Sequence, residues 1–175
     1  MKRITLISGC PGAGKTTLSA RMAGRFDRGA HIETDTFYNF PVNLIDPSLP
    51  GSNEQNTTIM RAISRAAAAF ANAGYEVFVE GILGPWFFPV LLEEFSGFEI
   101  SYIVLRIPAE VSLKRVAGRD GDGREERVIR TCRAFDDLGI HERHVIESRD
   151  MDAETLLDAA FSGWEMKDFV LLETA

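Results

Sequence analysis

The chain has 175 residues, 45% of them hydrophobic and 26% charged, with a formal net charge of −7. That length is enough to bury one core, and the composition is ordinary for a soluble globular protein. The acidic balance argues against a general nucleic-acid or membrane-surface binder, because both of those partners repel a negative surface.

Residues 4–8 (Ile-Thr-Leu-Ile-Ser) form a short β-branched apolar run ending at Gly9, the pattern of a strand buried on both faces. Residues 15–25 follow with Leu18, Met22 and Phe26 at helical spacing. A second strand is expected over 30–34, ending just before Asp35. Residues 36–53 carry Pro41, Pro47 and Pro50 without periodicity and read as a loop or small insertion. Ser52 or Asn53 caps the helix expected over 54–73. Its apolar face is Ile59, Ile63, Ala66, Ala67 and Phe70, and its stop is Gly74. Strands are expected over 75–79 and 100–107, with a short helix over 90–95 between them. Helices over 109–117 and 125–138 flank a glycine-rich break at 118–123. A weak fifth strand over 144–146, a last helix over 153–161 and a tail over 168–172 complete the chain. The tail reads equally as a helix end or an edge strand.

Alternating strands and helices predict an α/β fold, a parallel five-stranded sheet with helices on both faces. Right-handed crossovers place every strand-to-helix loop at one edge of such a sheet, where open α/β sheets bind ligands. Residues 9–16, Asp35 and Glu80-Gly81 should therefore share that edge. No repeat, linker or low-complexity segment divides the chain, so one domain is expected over residues 1–175.

Gly9-Cys10-Pro11-Gly12-Ala13-Gly14-Lys15-Thr16 fits the phosphate-loop pattern G-x-x-x-x-G-K-[ST]. Its glycines let backbone N–H groups turn inward onto phosphate oxygens, and the following helix adds the positive end of its dipole. The expected nucleotide-binding set is this loop together with Thr17. Lys15 reaches the β- and γ-phosphates, and the Thr16 hydroxyl ligates Mg²⁺. Cys10 reads as a loop filler, not a reactive thiol. Asp35, at the end of the second strand, is placed to take a proton from a substrate hydroxyl or to hold a Mg²⁺ water. A turn or helix-cap aspartate is the competing reading. Glu80 ends an apolar strand and precedes Gly81, the layout of a carboxylate that holds Mg²⁺ or its waters. Gly81 and Gly84 allow a ligand close to the backbone. The aromatics of residues 85–89, Trp86 among them, either line an acceptor pocket or pack beneath the loop.

Lys114, Arg115, Arg119, Arg124, Arg127, Arg130 and Arg133 concentrate positive charge around the break, partly cancelled by Asp120, Asp122, Glu125 and Glu126. They form either a solvated helix face or a lid over residues 115–127 that closes on the triphosphate. Arg115 and Arg119, four apart on one helix face, are the leading pair, and Arg124 is third. His31, His141 and His144 form no metal constellation and read as surface residues. Cys10 and Cys132 lie far apart without partners at metal-ligand spacing, which fits a reducing cytoplasm better than a disulfide. The N-terminal apolar run is too short for a signal peptide, and no stretch reaches the length of a membrane span.

The glycine loop, an aspartate about twenty residues beyond it, an acid-glycine pair after strand three and an arginine-rich lid together resemble the small P-loop kinases. Shikimate kinase, gluconate kinase, chloramphenicol phosphotransferase and the zeta-toxin kinases share that order. The resemblance covers nearly the whole chain and implies a three-layer, adenylate- and shikimate-kinase-like P-loop fold. Residues 34–38 (Thr34-Asp35-Thr36-Phe37-Tyr38) most resemble chloramphenicol phosphotransferase and the zeta toxins, which implies a base or acceptor-anchoring role for Asp35. Residues 53–56 and 74–87 resemble bacterial P-loop ATP-binding proteins of unassigned substrate. Nothing basic lies between His31 and Arg61, where shikimate kinase has paired arginines. An uncharged hydroxylated acceptor therefore suits Phe37, Tyr38, Phe40 and Trp86 better than a carboxylate does.

The leading expectation is an ATP- and Mg²⁺-dependent kinase that phosphorylates a hydroxyl of a small molecule. Lys15, Asp35 and Arg119 are catalytic. The loop and Arg115 bind nucleotide, and Thr16 and Glu80 hold the metal. Asp35, Phe37, Tyr38, Gly81, Trp86 and Arg124 face the acceptor, with residues 36–60 as the acceptor-side insertion. The alternative is a regulatory ATPase without an acceptor, for which a site lacking a second pocket would speak. No Asn-Lys-x-Asp motif favours a GTPase, and the absence of a basic stripe disfavours a polynucleotide-end kinase.

Overall fold

The computed structural model describes residues 2–117 and 125–172. Strands β1 (Arg3–Gly9), β2 (Gly29–Glu33), β3 (Glu76–Glu80), β4 (Glu99–Arg106) and β5 (Val145–Glu147) form a parallel sheet in the order β2-β3-β1-β4-β5. The five parallel strands are those the sequence predicts. A sixth, β6 (Val170–Leu172), resolves the tail as an edge strand antiparallel to β4. Two short strands thus share one edge of β4: β5 pairs with Val104–Arg106, and β6 pairs with Ile100 and Ser101. Lys167, in the left-handed region at φ 63°, turns the chain into β6, and its Nζ lies 2.7 Å from the buried Glu99 carboxylate.

The helices are α1 (Lys15–Ala23), α2 (Thr34–Tyr38), α3 (Asn53–Asn72), α4 (Phe88–Glu94), α5 (Ala109–Val116), α6 (Glu125–Arg133) and α7 (Ala153–Glu165). Strand alternation splits the core in two. Ile4, Leu6, Val77, Val79, Ile100 and Tyr102 pack with Ile59 and Ile63 of α3 and Leu91 of α4. On the other face, Ile7, Phe78, Ile103 and Leu105 pack with Leu18 and Met22 of α1 and Leu157 and Trp164 of α7. Each fully buried Leu, Ile or Phe contributes roughly 1.5–3 kcal/mol relative to exposure, so both faces anchor the strand ends firmly.

Three expectations need correction. Phe70 does not join the buried face of α3; it is exposed and packs edge-on against Tyr75 at 5.4 Å, while Met60 and Ala71 are buried instead. Helix α6 stops at Arg133, because the chain turns there to bury Phe135 and Leu138 in the α3 side of the core. Strand β2 ends at Glu33, and residues 34–38 form a helical turn, so Asp35 lies in the first turn of α2 rather than at a strand end.

Candidate functional site: a phosphate loop beside a lined cavity

The carboxyl ends of β1, β2 and β3 lie side by side, with Glu33 opposite Glu80 and Ile7 opposite Glu80 in the ladder. This register places the phosphate loop, Glu80 and α2 at one edge, as expected from the chain order. Gly9 leaves β1 at φ 131°, and a Cβ there would stand 2.0 Å from the Leu105 carbonyl oxygen on β4. Only glycine fits so close to a neighbouring strand. Gly12 and Gly14 also have positive φ, 71° and 100°, and Gly14 occupies the N-cap of α1 in a left-handed conformation. The start of α1 therefore opens toward the loop, with its unpaired N–H groups available to an anion.

Around the loop, Lys15 Nζ donates to the Cys10 carbonyl at 3.0 Å, and Thr16 Oγ1 donates to Glu80 Oε1 at 2.8 Å. Burial pulls the Lys15 pKa below its ordinary value, and the carboxylates of Glu80 and Asp35 act against that. Burial pushes the Glu80 carboxyl up, opposed by the Thr16 hydrogen bond and by Lys15. Each group is thus a partner for the other's charge. A hydroxyl and a carboxylate oxygen 2.8 Å apart are hard donors of the kind Mg²⁺ takes, so the residues present fit that ion. His31, Glu33 and Glu80 also bring one ligand atom each within 4.8 Å of one another, a grouping the sequence reading did not anticipate for His31. His144 is likewise no surface residue: it is buried beside Tyr102, and burial drops its pKa to about 4.

Cys10 and Cys132, distant in sequence, are both buried in the core between the loop and α6. A hydrogen bond with Cys132, reinforced by burial, holds the Cys10 thiol well above the ordinary thiol range, and Cys10 Sγ also lies 3.6 Å from the Ile107 carbonyl. Cys10, read from the sequence as a lone loop filler, thus has a thiol neighbour in Cys132.

Arg115 does not reach toward the phosphate position. Its guanidinium donates to the carbonyls of Gly12 and Arg149, both at 3.1 Å, bracing the outside of the loop. Arg115, Thr17, Ala13 and Gly14 instead line a cavity of about 180 Å³ with Ser148, Met151, Asp152 and Ala153. The last four, from the segment entering α7, were not singled out in the sequence, where no motif marks them. Arg119 and Arg124, and with them the centre of the expected lid, lie outside the described residues.

A cavity of about 520 Å³ opens beside Asp35 and is lined by Tyr38, Asn39, Asn56, Ile82, Trp86, Arg127, Arg130 and Thr131 among others. That size suits a small molecule. Asp35, Tyr38 and Trp86, among the residues expected to face an acceptor, line this cavity. Phe37 does not: it packs on the core and edge-on against Phe40 at 5.5 Å. Gly81 does not line the cavity either. A Cβ there would meet Thr34 Oγ1 at 1.9 Å, so glycine is needed to seat α2 against β3 rather than to admit a ligand. The loop after it is pinned at Leu83, whose N–H donates to Ser8 Oγ and whose carbonyl accepts from Tyr102 Oη, both at 2.8 Å. Trp86, half-exposed, rests on Phe135 at 5.6 Å. Burial, and then the Asp35 charge, push the Tyr38 hydroxyl to about 12, with Arg127 pulling it back. It remains a neutral donor at physiological pH.

Arg127, Arg130, Thr131 and Ala134 follow i, i+3, i+4, i+7 spacing, and the opposite face of α6 buries Val128 and Cys132. The amphipathic period of 125–138 was legible, but the lid reading drew attention to the arginines preceding it.

Among the described residues, no helix is long and apolar enough to cross a membrane. No curated protein sequence matches the chain. Among solved structures, the chain is similar to an unliganded sugar kinase from Janibacter sp. HTCC2649, with TM-score 0.74 and 22% identity over 96% of this chain and 97% of that one. A gluconokinase from Sinorhizobium meliloti 1021 gives TM-score 0.70 and 14% identity over 95% and 94%. Shikimate kinase from Acinetobacter baumannii in complex with shikimate gives 0.64 and 16% over 96% and 94%. At these identities the likeness concerns the fold, which is that of the small P-loop kinases. Residues 5–136 match the family model of an AAA domain, most of the chain and all of the loop-bearing edge, and the chain therefore belongs to that family of P-loop proteins.

Proposed function

We propose that the protein is an ATP-dependent kinase transferring the γ-phosphate to a hydroxyl of a small molecule bound beside Asp35. The observation that carries this reading is the 520 Å³ cavity lined by Asp35, whose charge acts on Lys15 of the phosphate loop. A regulatory ATPase needs a nucleotide site and a water, not a second lined cavity with its own aromatic wall.

In this reading the loop N–H groups and the start of α1 hold the β- and γ-phosphates. The smaller cavity by Arg115 and Asp152 takes the base end of the nucleotide. Lys15 turns from the Cys10 carbonyl to the phosphates, where its charge opposes that developing on the transferred group. Mg²⁺, held through Thr16 and Glu80, would neutralise phosphate charge. Asp35, exposed on the first turn of α2, orients the acceptor hydroxyl in line with the γ-phosphate and takes its proton.

The test is ADP formation with and without added acceptors, in wild type and Asp35→Asn. Release that depends on acceptor and falls about 100-fold or more in the variant supports the reading. ADP release indifferent to both would replace it with a simple ATPase.

A further inference from the structure

The cavity beside Asp35 contains charge that the sequence alone did not lead us to expect. Its wall on α6 presents Arg127 and Arg130, three residues apart and facing the same space. Among the described residues, Asp35 is the only other charged one lining it. Among the described residues, neither arginine has an ion-pair or side-chain hydrogen-bond partner, although Arg61, Arg65 and Arg106 on the same protein all do. Asp46 feels the charge of both arginines, but Ser48 occupies its Oδ1 through both N–H (2.9 Å) and Oγ (2.8 Å).

A second observation comes from the opposite wall. Asn56 is 7% exposed and lines the cavity, and its Nδ2 donates to the Pro47 carbonyl and to Ser52 Oγ, both at 2.9 Å. Its Oδ1 is buried without a partner. A buried acceptor left unsatisfied is costly unless a ligand supplies the donor, and a hydroxyl is such a donor. The third wall, Trp86 with Ile82 and Phe87, offers an apolar face. Anion, hydroxyl and carbon skeleton each have a matching wall.

We infer that the acceptor is an anionic polyhydroxy compound: its carboxylate or phosphate is held by Arg127 and Arg130, and one of its hydroxyls donates to Asn56 Oδ1. This rests on the kinase reading for the word acceptor, but the anion site stands or falls separately. It also reverses the expectation of an uncharged acceptor, because the cations come from α6 rather than from residues 31–61. Two guanidinium groups on one side of a half-enclosed cavity bind an oxyanion through charge-assisted, often bidentate hydrogen bonds.

The experiment uses matched pairs: glucuronate with glucose, galacturonate with galactose, quinate with myo-inositol, and ribose 5-phosphate with ribose. Each is titrated calorimetrically into the full chain loaded with Mg²⁺ and a non-hydrolysable ATP analogue, which fills the phosphate loop. Turnover with ATP is measured in parallel. The acid or phosphate of at least one pair is expected to bind about tenfold or more tightly than its neutral partner. That preference should disappear in Arg127→Gln and Arg130→Gln, which keep the thermal shift with Mg·ATP as evidence of folding. Whether the carboxylates or the sugar phosphate bind decides between the two anions. Asn56→Asp should weaken binding further by placing a like charge in the cavity. Equal or better binding of the neutral members, anion binding unchanged in both arginine variants, or no binding by any acid or phosphate would overturn the inference. Binding without turnover would sink the kinase reading and leave the anion site standing. Turnover of neutral members alone would do the reverse.

Discussion

The phosphate loop comes from one contiguous stretch, residues 9–16, whereas the cavity beside Asp35 is assembled from residues 34–39, 44–56, 82–87 and 127–134. The loop binds through backbone geometry, fixed by Gly9 against Leu105 and by Gly14 at the N-cap of α1. The cavity works through side chains whose positions depend on packing elsewhere: Gly81 against Thr34, Leu83 between Ser8 and Tyr102, Trp86 on Phe135. A backbone site thus states its ligand class in a short motif. A side-chain site made from four segments states nothing until the fold brings those segments together.

That contrast can be broken or sharpened by substitution. The largest effect is expected from Lys15→Ala, which removes the cation carried by the loop itself: turnover should fall about 100-fold or more, and the thermal shift with Mg·ATP should shrink. Asp35→Asn should lower kcat about 100-fold while leaving that thermal shift intact, separating the two regions. Gly81→Ala should push Thr34 and α2 away from β3, lowering kcat or raising KM for the acceptor by roughly tenfold through displaced Asp35. Nucleotide binding, measured by the same shift, should barely change.

The smallest effect is a pH dependence. Burial raises the Glu80 pKa, so between the ordinary glutamate value and that raised value the folded chain holds a proton the unfolded chain has lost. Stability of the metal-free protein should therefore decline as pH rises through that window. Mg²⁺ affinity should climb over the same range, because the ion needs the carboxylate. Glu80→Gln should flatten both curves, as read by thermal melts with and without Mg²⁺.

The five parallel strands, the α1 and α3 helices and the phosphate loop were readable because each is local: β-branched runs, helical spacing and a contiguous motif. Phe70 was misplaced because helical spacing cannot tell a core face from a contact with Tyr75 just beyond the helix end. The α2 turn was missed because Thr34-Asp35-Thr36-Phe37-Tyr38 has no helical period of its own and is held by Thr34 packed on Gly81. Arg127 and Arg130 were visible as charges, but their direction follows only once Val128 and Cys132 are seen buried on the other side of α6. Tyr102, which holds Leu83, gave no signal at all, being one apolar-looking residue in a buried strand.

The most direct test of the account is phosphorus NMR of the full chain with Mg·ATP and the matched acids, phosphates and neutral polyols. Decay of the γ-phosphate resonance into a phosphomonoester signal, dependent on an added acceptor and slowed about 100-fold by Asp35→Asn, is the predicted result. Decay into inorganic phosphate alone, whatever is added, would contradict it.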